Sequence, residues 1–297
     1  MPDVGIDRAR RGLPRLRAQL RPVRRWLAAM LMLSPALSPL AAVAASPPPP
    51  AQVQITIAPG SIAVSGAPES GAAELLVSAA RSLREPSAVL VRLKPGVSVQ
   101  ELIGYLASNM TGQPATIEPY GAIVFNREVA PGASAESEVW LAPGTYVALD
   151  GEGEKSSGWS HTSFTVSPSP APPALPAAEA VERTKGLAFA GPRTLHRGEL
   201  VRFENDGPGP LMDIAFPARS RADAERLASD LLNGHQRAAE ALVASALADF
   251  AGTISGGASQ QETITAPDGW YVQACFLETR GRPDTRLGME RVIRIVG

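Results

Sequence analysis

Cys275 is the only thiol in 297 residues, and Met289 follows it after a turn-rich stretch. A thiolate and a thioether are soft donors that suit Cu(I) far better than a hard cation. The same side chains are ordinary core fillers, so their neighbours decide which role applies. The stretch 269–289, GWYVQACFLETRGRPDTRLGM, reads as a strand, a loop and the start of another strand. Trp270, Tyr271, Val272 and Phe276 are strand formers, whereas Gly281, Arg282, Pro283 and Asp284 have the composition of a turn. A single cysteine cannot form an internal disulfide.

Other chemistries find little support. His161, His196 and His235 are scattered and make no zinc pattern. Gly256-Gly257-Ala258-Ser259 lacks the second glycine of a nucleophile elbow, and no phosphate loop or dinucleotide fingerprint is present. Glu152 and Glu154 fall in a Gly-rich loop, where solvation is the default. Asn109-Met110-Thr111 has the glycosylation pattern, whose meaning depends on the host. No enzymatic activity is therefore expected. A formal net charge of -1 gives no global attraction to nucleic acid.

The elements that must position Cys275 and Met289 are strands. With 27 Gly and 28 Pro between short apolar runs, the chain reads as all-β. Its length suits about two domains of ~100–150 residues. A Pro-rich tract at 167–176 divides it, and the two parts resemble each other. Glu74-Leu75 and Glu199-Leu200 open strands 125 residues apart, and at that offset Ser87-Ala88-Val89-Leu90-Val91 faces Met212-Asp213-Ile214-Ala215-Phe216. Leu141-Ala142-Pro143-Gly144-Thr145-Tyr146-Val147 matches 265–272 once one extra turn residue is allowed. Each part closes on an alternating strand, 163–166 and 292–296. Each also carries a helical insertion. Ser98 with Glu101 forms a capping box ahead of Leu102 and Leu106. Ser220 caps a second helix bearing Leu227 and Leu231, which Asn233-Gly234 should stop, and a further helix is expected over 236–250. Their Ala-rich faces, poor in lysine, suit covering an open end of the sandwich rather than binding a membrane.

These residues resemble the cupredoxin family. Members with long final loops carry Cys, then Pro-His, then four residues, then Met, where this chain has Cys275, Pro283-Asp284 and Met289. In that family an Asn-x-Gly turn precedes the first copper histidine, and here Asn205-Asp206-Gly207 precedes Met212. Aligning on Pro210 would place Leu211 there, but the Asp-Ile-Ala-Phe strand and the gap-free match to the first part select Met212. The resemblance implies two tandem Greek-key cupredoxin-like β-sandwiches, each with a helical insertion, at 52–167 and 181–297, joined by a linker at 168–180. It also implies a metal position at Met212, Cys275, Asp284 and Met289. A type 1 copper centre needs two imidazoles, a thiolate and a weak axial thioether, and both imidazoles are replaced. The expectation is therefore a module without a cofactor that binds or scaffolds another exported protein, with copper handling or electron transfer at a sulfur-rich site as the alternative. The first part is emptier still, with Ser87 and Asp150 at the first-ligand and Cys positions and Trp159 near the Met position.

Residues 8–25 contain eight arginines, and 26–45 is apolar apart from Ser34 and Ser38. That is the n-region and h-region of an export signal, with Ala42-Val43-Ala44 as the small-x-small cleavage pattern. A Pro-rich spacer, 46–51, follows. The expected location is periplasmic or secreted, with no membrane contact beyond the signal segment. N-terminal sequencing of protein from the native host should begin near Ala45 or Ser46, and an intact Met1 on soluble cytoplasmic protein would contradict export.

Overall fold

The computed structural model describes residues 49–108, 117–151, 158–245 and 248–297. The expected signal segment, the Asn109 triplet, Glu152 and Glu154 lie outside them. The first half runs β1 (Ala51–Ala58), β2 (Ser61–Ser65), β3 (Gly71–Ala79), β4 (Ser87–Leu93), α1 (Val99–Ser108), β5 (Gly121–Glu128), β6 (Ser134–Leu141), β7 (Gly144–Asp150) and β8 (His161–Val166). The second runs β9 (Ala180–Thr184), β10 (Phe189–Ala190), β11 (Thr194–His196), β12 (Leu200–Asn205), β13 (Leu211–Ala218), α2 (Arg221–Asn233), α3 (Gln236–Glu240), β14 (Ala248–Ile254), β15 (Ser259–Thr263), β16 (Gly269–Ala274), β17 (Glu278–Thr279), β18 (Arg282–Pro283) and β19 (Glu290–Val296).

The protein is all-β, built as two Greek-key sandwiches. The first half pairs its strands β2-β1-β3-β6 in one sheet and β5-β4-β7-β8 in the other. The second half repeats that order as β10-β9-β12-β15 and β14-β13-β16-β19, with β11 added beside β19. The register repeats as well. Val91 pairs with Val147 and Leu90 with Ala148, and 125 residues on Phe216 pairs with Val272 and Ala215 with Gln273. Tyr146 donates its hydroxyl to the Ala142 carbonyl and Tyr271 donates to the Pro267 carbonyl, both at 2.8 Å.

Period-two alternation places the cores. Val53, Ile55, Leu75, Val77, Leu90, Phe125 and Tyr146 fill the first sandwich, and Val201, Phe203, Ala215, Phe250, Tyr271, Ile293 and Ile295 fill the second. Each fully buried Val, Leu, Ile or Phe among them contributes roughly 1.5–3 kcal/mol. The helices cover an outer sheet face in each half and not an open end: Leu102 and Leu106 of α1 lie over Val89, Val91 and Val147, and Ala224, Leu227 and Leu231 of α2 lie over Val272 and Ala274. Their caps form as the sequence suggests. The Ser98 hydroxyl accepts from the Glu101 N–H at 3.2 Å, while the Glu101 carboxylate accepts from the Ser98 N–H at 2.7 Å. Ser220 accepts from Asp223, and α2 ends at Gly234 with φ 75°.

Two local expectations are corrected. Strand β3 is already under way at Gly71, three residues before Glu74. The helix expected over 236–250 stops at Glu240, and Ala248–Ile254 is a strand against β13. Tertiary pairing overrides the Ala-rich pattern there, for which the β-branched Thr253 and Ile254 are suited. Gly252 shows why the strand takes its shape: φ is 38°, and a Cβ would lie 2.7 Å from Asn126 of the first half.

The two halves join directly. β6 pairs with β15 through Val139–Gln260 and Glu138–Gln261, which makes one 8-stranded sheet. Ser255 and Ile123 exchange two bonds at 2.9 Å, one through the Ser255 hydroxyl and one through its N–H. Behind them Arg127 meets Glu262 at 2.9 Å, and Gln260 donates to the same Glu262 at 2.6 Å. The Pro-rich tract is docked on this structure: the Pro173 carbonyl accepts from the Ala72 N–H at 2.8 Å and that of Pro176 from Gln261 at 3.2 Å. Residues 46–297 accordingly form one compact unit. Because Arg127 and Glu262 are both buried, Arg127→Ala should strand a carboxylate and cost about 3 kcal/mol in urea unfolding. Arg127→Met with Glu262→Leu should recover most of that loss.

Candidate metal centre

The loop after β16 folds back on itself through backbone bonds. The Asp284 N–H donates to the Leu277 carbonyl at 2.8 Å, Thr285 N–H to Cys275 at 3.1 Å, Met289 N–H to Asp284 at 3.0 Å, and Cys275 N–H to Met289 at 3.2 Å. A single 3-10 turn, Asp284–Leu287, follows β18. Cys275 and Met289 therefore face one another across the start of β19, in a buried cluster with Leu211 and Leu277 against which Met212 packs. All four sequence-derived positions, Met212, Cys275, Asp284 and Met289, are brought together.

Cys275 is fully buried, and its thiol donates to Asp284 Oδ2 at 3.4 Å. Burial pushes the thiol up to about 12; the N–H groups of Met212 and Leu277 oppose this, and the nearby Asp284 adds to it. The sulfur is thus a protonated thiol at neutral pH. Asp284 is 1% exposed, and its second oxygen, Oδ1, has no hydrogen-bond partner. An orphaned buried carboxylate oxygen is costly and calls for a positive charge or a donor.

Fitted against these residues, a type 1 copper centre fails for want of imidazole. His161 and His196 are exposed at strand ends, and His235 is exposed beside Asp230 at 3.3 Å. Among the described residues no group of three His, Cys, Asp or Glu is placed to hold a metal ion. A soft ion finds a better donor set, one thiol and two thioethers with the Asp284 oxygen beside them. In the first half the corresponding residues do other work. Ser87 donates to Asn126 at 3.0 Å, Asp150 is buried, and Trp159 packs in the core beneath α1.

Beside the site lies a polar chain that sequence reading missed. Gln273 donates to both oxygens of Asp213 at 3.1 Å, Arg291 Nε donates to Gln273 at 2.8 Å, and Arg291 also pairs with Glu182. All four are buried. At the offset of 125, Asp213 and Gln273 occupy the places of Ala88 and Ala148, which are core alanines. That contrast was present in the sequence as polar residues at inward positions of β13 and β16. Glu182 and Asp213 also line a cavity of about 10 Å³ with Met212, the lower limit for one water.

No protein-family model and no curated protein matches this sequence. Among solved structures it is similar to auracyanin from Roseiflexus castenholzii, at 20% identity and TM-score 0.24, over 39% of this chain and 95% of that one. It is also similar to auracyanin A, a "blue" copper protein from Chloroflexus aurantiacus, at 24% identity and TM-score 0.24, over 39% and 95%. Copper nitrite reductase from Nitrosomonas europaea covers 82% of this chain and 92% of its own, at 12% identity and TM-score 0.21. Likenesses of this degree add nothing about the chemistry of the site.

Glu182 gives the chain a titration. Burial raises its carboxyl from 4.5 to about 7, opposed by Arg291 and reinforced by Glu199. The folded protein then holds this proton more tightly than the unfolded one. The stabilisation is complete below the ordinary carboxyl value and is lost as pH rises through about 7. Denaturant melts should show stability falling by on the order of 1–3 kcal/mol from about pH 5 to about pH 8, and Glu182→Gln should flatten that slope.

Proposed function

We propose that this chain is an exported, non-enzymatic binding or scaffolding module for another exported protein, in which the copper position of the second half is occupied by core packing. The observation that carries this reading is Cys275: a fully buried thiol that donates to a carboxylate, in a set without imidazole. A thiol with its proton held so tightly is a poor ligand until an ion displaces that proton. Loops at the sandwich ends, held by the rigid sheets, are the surfaces a partner would meet. The export component rests on the N-terminal sequence alone. For described residues, no helix is long and apolar enough to cross a membrane.

A second reading, a Cu(I) site, is favoured by the unpartnered Asp284 Oδ1 at the edge of the sulfur cluster. Cys275, Met289 and Met212 would hold the ion, and the thiol proton would leave on binding. Such an ion would supply soft-metal storage or transfer chemistry.

Metal content and the visible spectrum of purified protein separate the two. The binding-module reading expects substoichiometric copper and no intense blue band after aerobic Cu(II) addition. If Cu(I) binds under reducing conditions, Cys275→Ala with Met289→Ala should abolish it. The complementary variant, Met212→His with Asp284→His, should gain colour if these positions are the family's ligand positions. An intensely blue wild-type protein would sink the reading.

A further inference from the structure

Away from Cys275, on the outer face of the second sandwich, Arg193, Arg221 and Arg294 surround Trp270 in a groove of about 500 Å³. The guanidiniums of Arg221 and Arg294 lie 5.7 and 5.5 Å from the centroid of the same indole. Cation–π stacking of this kind fixes a long side chain and leaves its N–H fork facing outward. Among the described residues, Arg193 and Arg294 have no carboxylate within ion-pairing distance. Arg221 has only Glu225, at 2.8 Å on the same exposed helix face. An exposed i,i+4 pair is worth a few tenths of a kcal/mol, so an incoming carboxylate can replace Glu225 at little cost. Glu290 and Glu225 also line the groove.

We propose that this groove binds an extended acidic peptide segment of a partner protein, with carboxylates on Arg193, Arg221 and Arg294. The proposal rests on the binding-module reading and supplies its partner chemistry. A peptide suits the groove better than a nucleic acid does. Glu225 and Glu290 interrupt the positive charge and would repel a continuous polyanion, whereas a peptide can space its carboxylates to meet the arginines and set uncharged residues beside the two glutamates. Bidentate guanidinium–carboxylate pairing gives such a contact direction as well as charge.

The test uses the full chain and a fluorescein-labelled, N-acetylated peptide of about twelve alternating Glu and Ser residues, long enough to cross the groove extended, read by fluorescence anisotropy. Saturable binding is expected, weakened about tenfold or more in Arg221→Ala with Arg294→Ala, and absent for the same peptide with Gln for Glu. The arginines at 8–25 are common to wild type and variants, so the difference reports the groove. Should the double variant fail to fold, Arg193→Glu, exposed and outside the indole stack, must weaken binding instead. Unchanged affinity in a folded variant, equal binding of the Gln peptide, or equally effective competition by a single-stranded oligonucleotide would overturn the proposal. Stoichiometric copper in the purified protein would count against the binding-module reading alone, and loss of peptide discrimination against the groove alone.

Discussion

The joint between β6 and β15 is the contact on which the remaining architecture depends. It involves two residue pairs, Val139–Gln260 and Glu138–Gln261, yet it turns two four-stranded sheets into one of eight. Left apart, β6 and β15 would each present an unpaired edge, which is an aggregation hazard. Two residue pairs are too few to hold the halves in one orientation. The buried group of Arg127, Glu262, Gln260 and Ser137 supplies the direction. Its ion pair is 2.9 Å long, and Ser137 lies 2.6 Å from the same guanidinium. Buried charges are poor sources of net stability, but they penalise any arrangement that leaves one of them alone. The close approach at Gly252, where no side chain fits against Asn126, follows from that fixed orientation.

With one frame used twice, the differences between the halves become informative. At equivalent inward positions the first sandwich has Ala88 and Ala148, while the second has Asp213 and Gln273 bonded onward to Arg291 and Glu182. An apolar filling is the simpler solution for such positions. The polar chain therefore costs desolvation that its hydrogen bonds only offset, and Glu182 Oε1 remains without a partner. Of the four buried polar groups without a partner among the described residues of the second half, two, Glu182 and Asp284, lie beside Met212 and Cys275.

Much of the frame was legible because strands, caps and turns announce themselves locally. Ser98 with Glu101, Ser220 and Gly234 behave as their types require, and the offset of 125 is visible as sequence and returns as register. The expected helix over 236–250 failed for a non-local reason. Alanine-rich residues read as helical until β13 and Asn126 are available as partners for Ala248–Ile254. The site divides the same way. The convergence of Cys275, Asp284 and Met289 follows from spacing around one loop, whereas Met212, on β13, could be drawn only from the family pattern and the repeat. The chain from Asp213 to Glu182 could not, because it joins residues from β13, β16, β19 and β9 whose adjacency exists only in the folded sandwich.

The placement of Asp284 bears on what the sulfur cluster is for. A position released from metal binding and serving only the core would gain by an apolar residue, since burying a carboxylate with one oxygen unpaired costs on the order of 1–3 kcal/mol or more. Asp284 does hold the Cys275 thiol with its other oxygen, and its backbone ties Leu277 to Met289. The backbone ties, however, need no carboxylate, because any residue other than proline supplies the same N–H and C=O. What the carboxylate alone adds is an acceptor for the thiol and a second buried oxygen without a partner beside two thioethers. The first is a structural role that an amide could also fill. The second has no use in a purely apolar core, so that oxygen is the feature on which the packed and the metal-binding readings of the sulfur cluster differ.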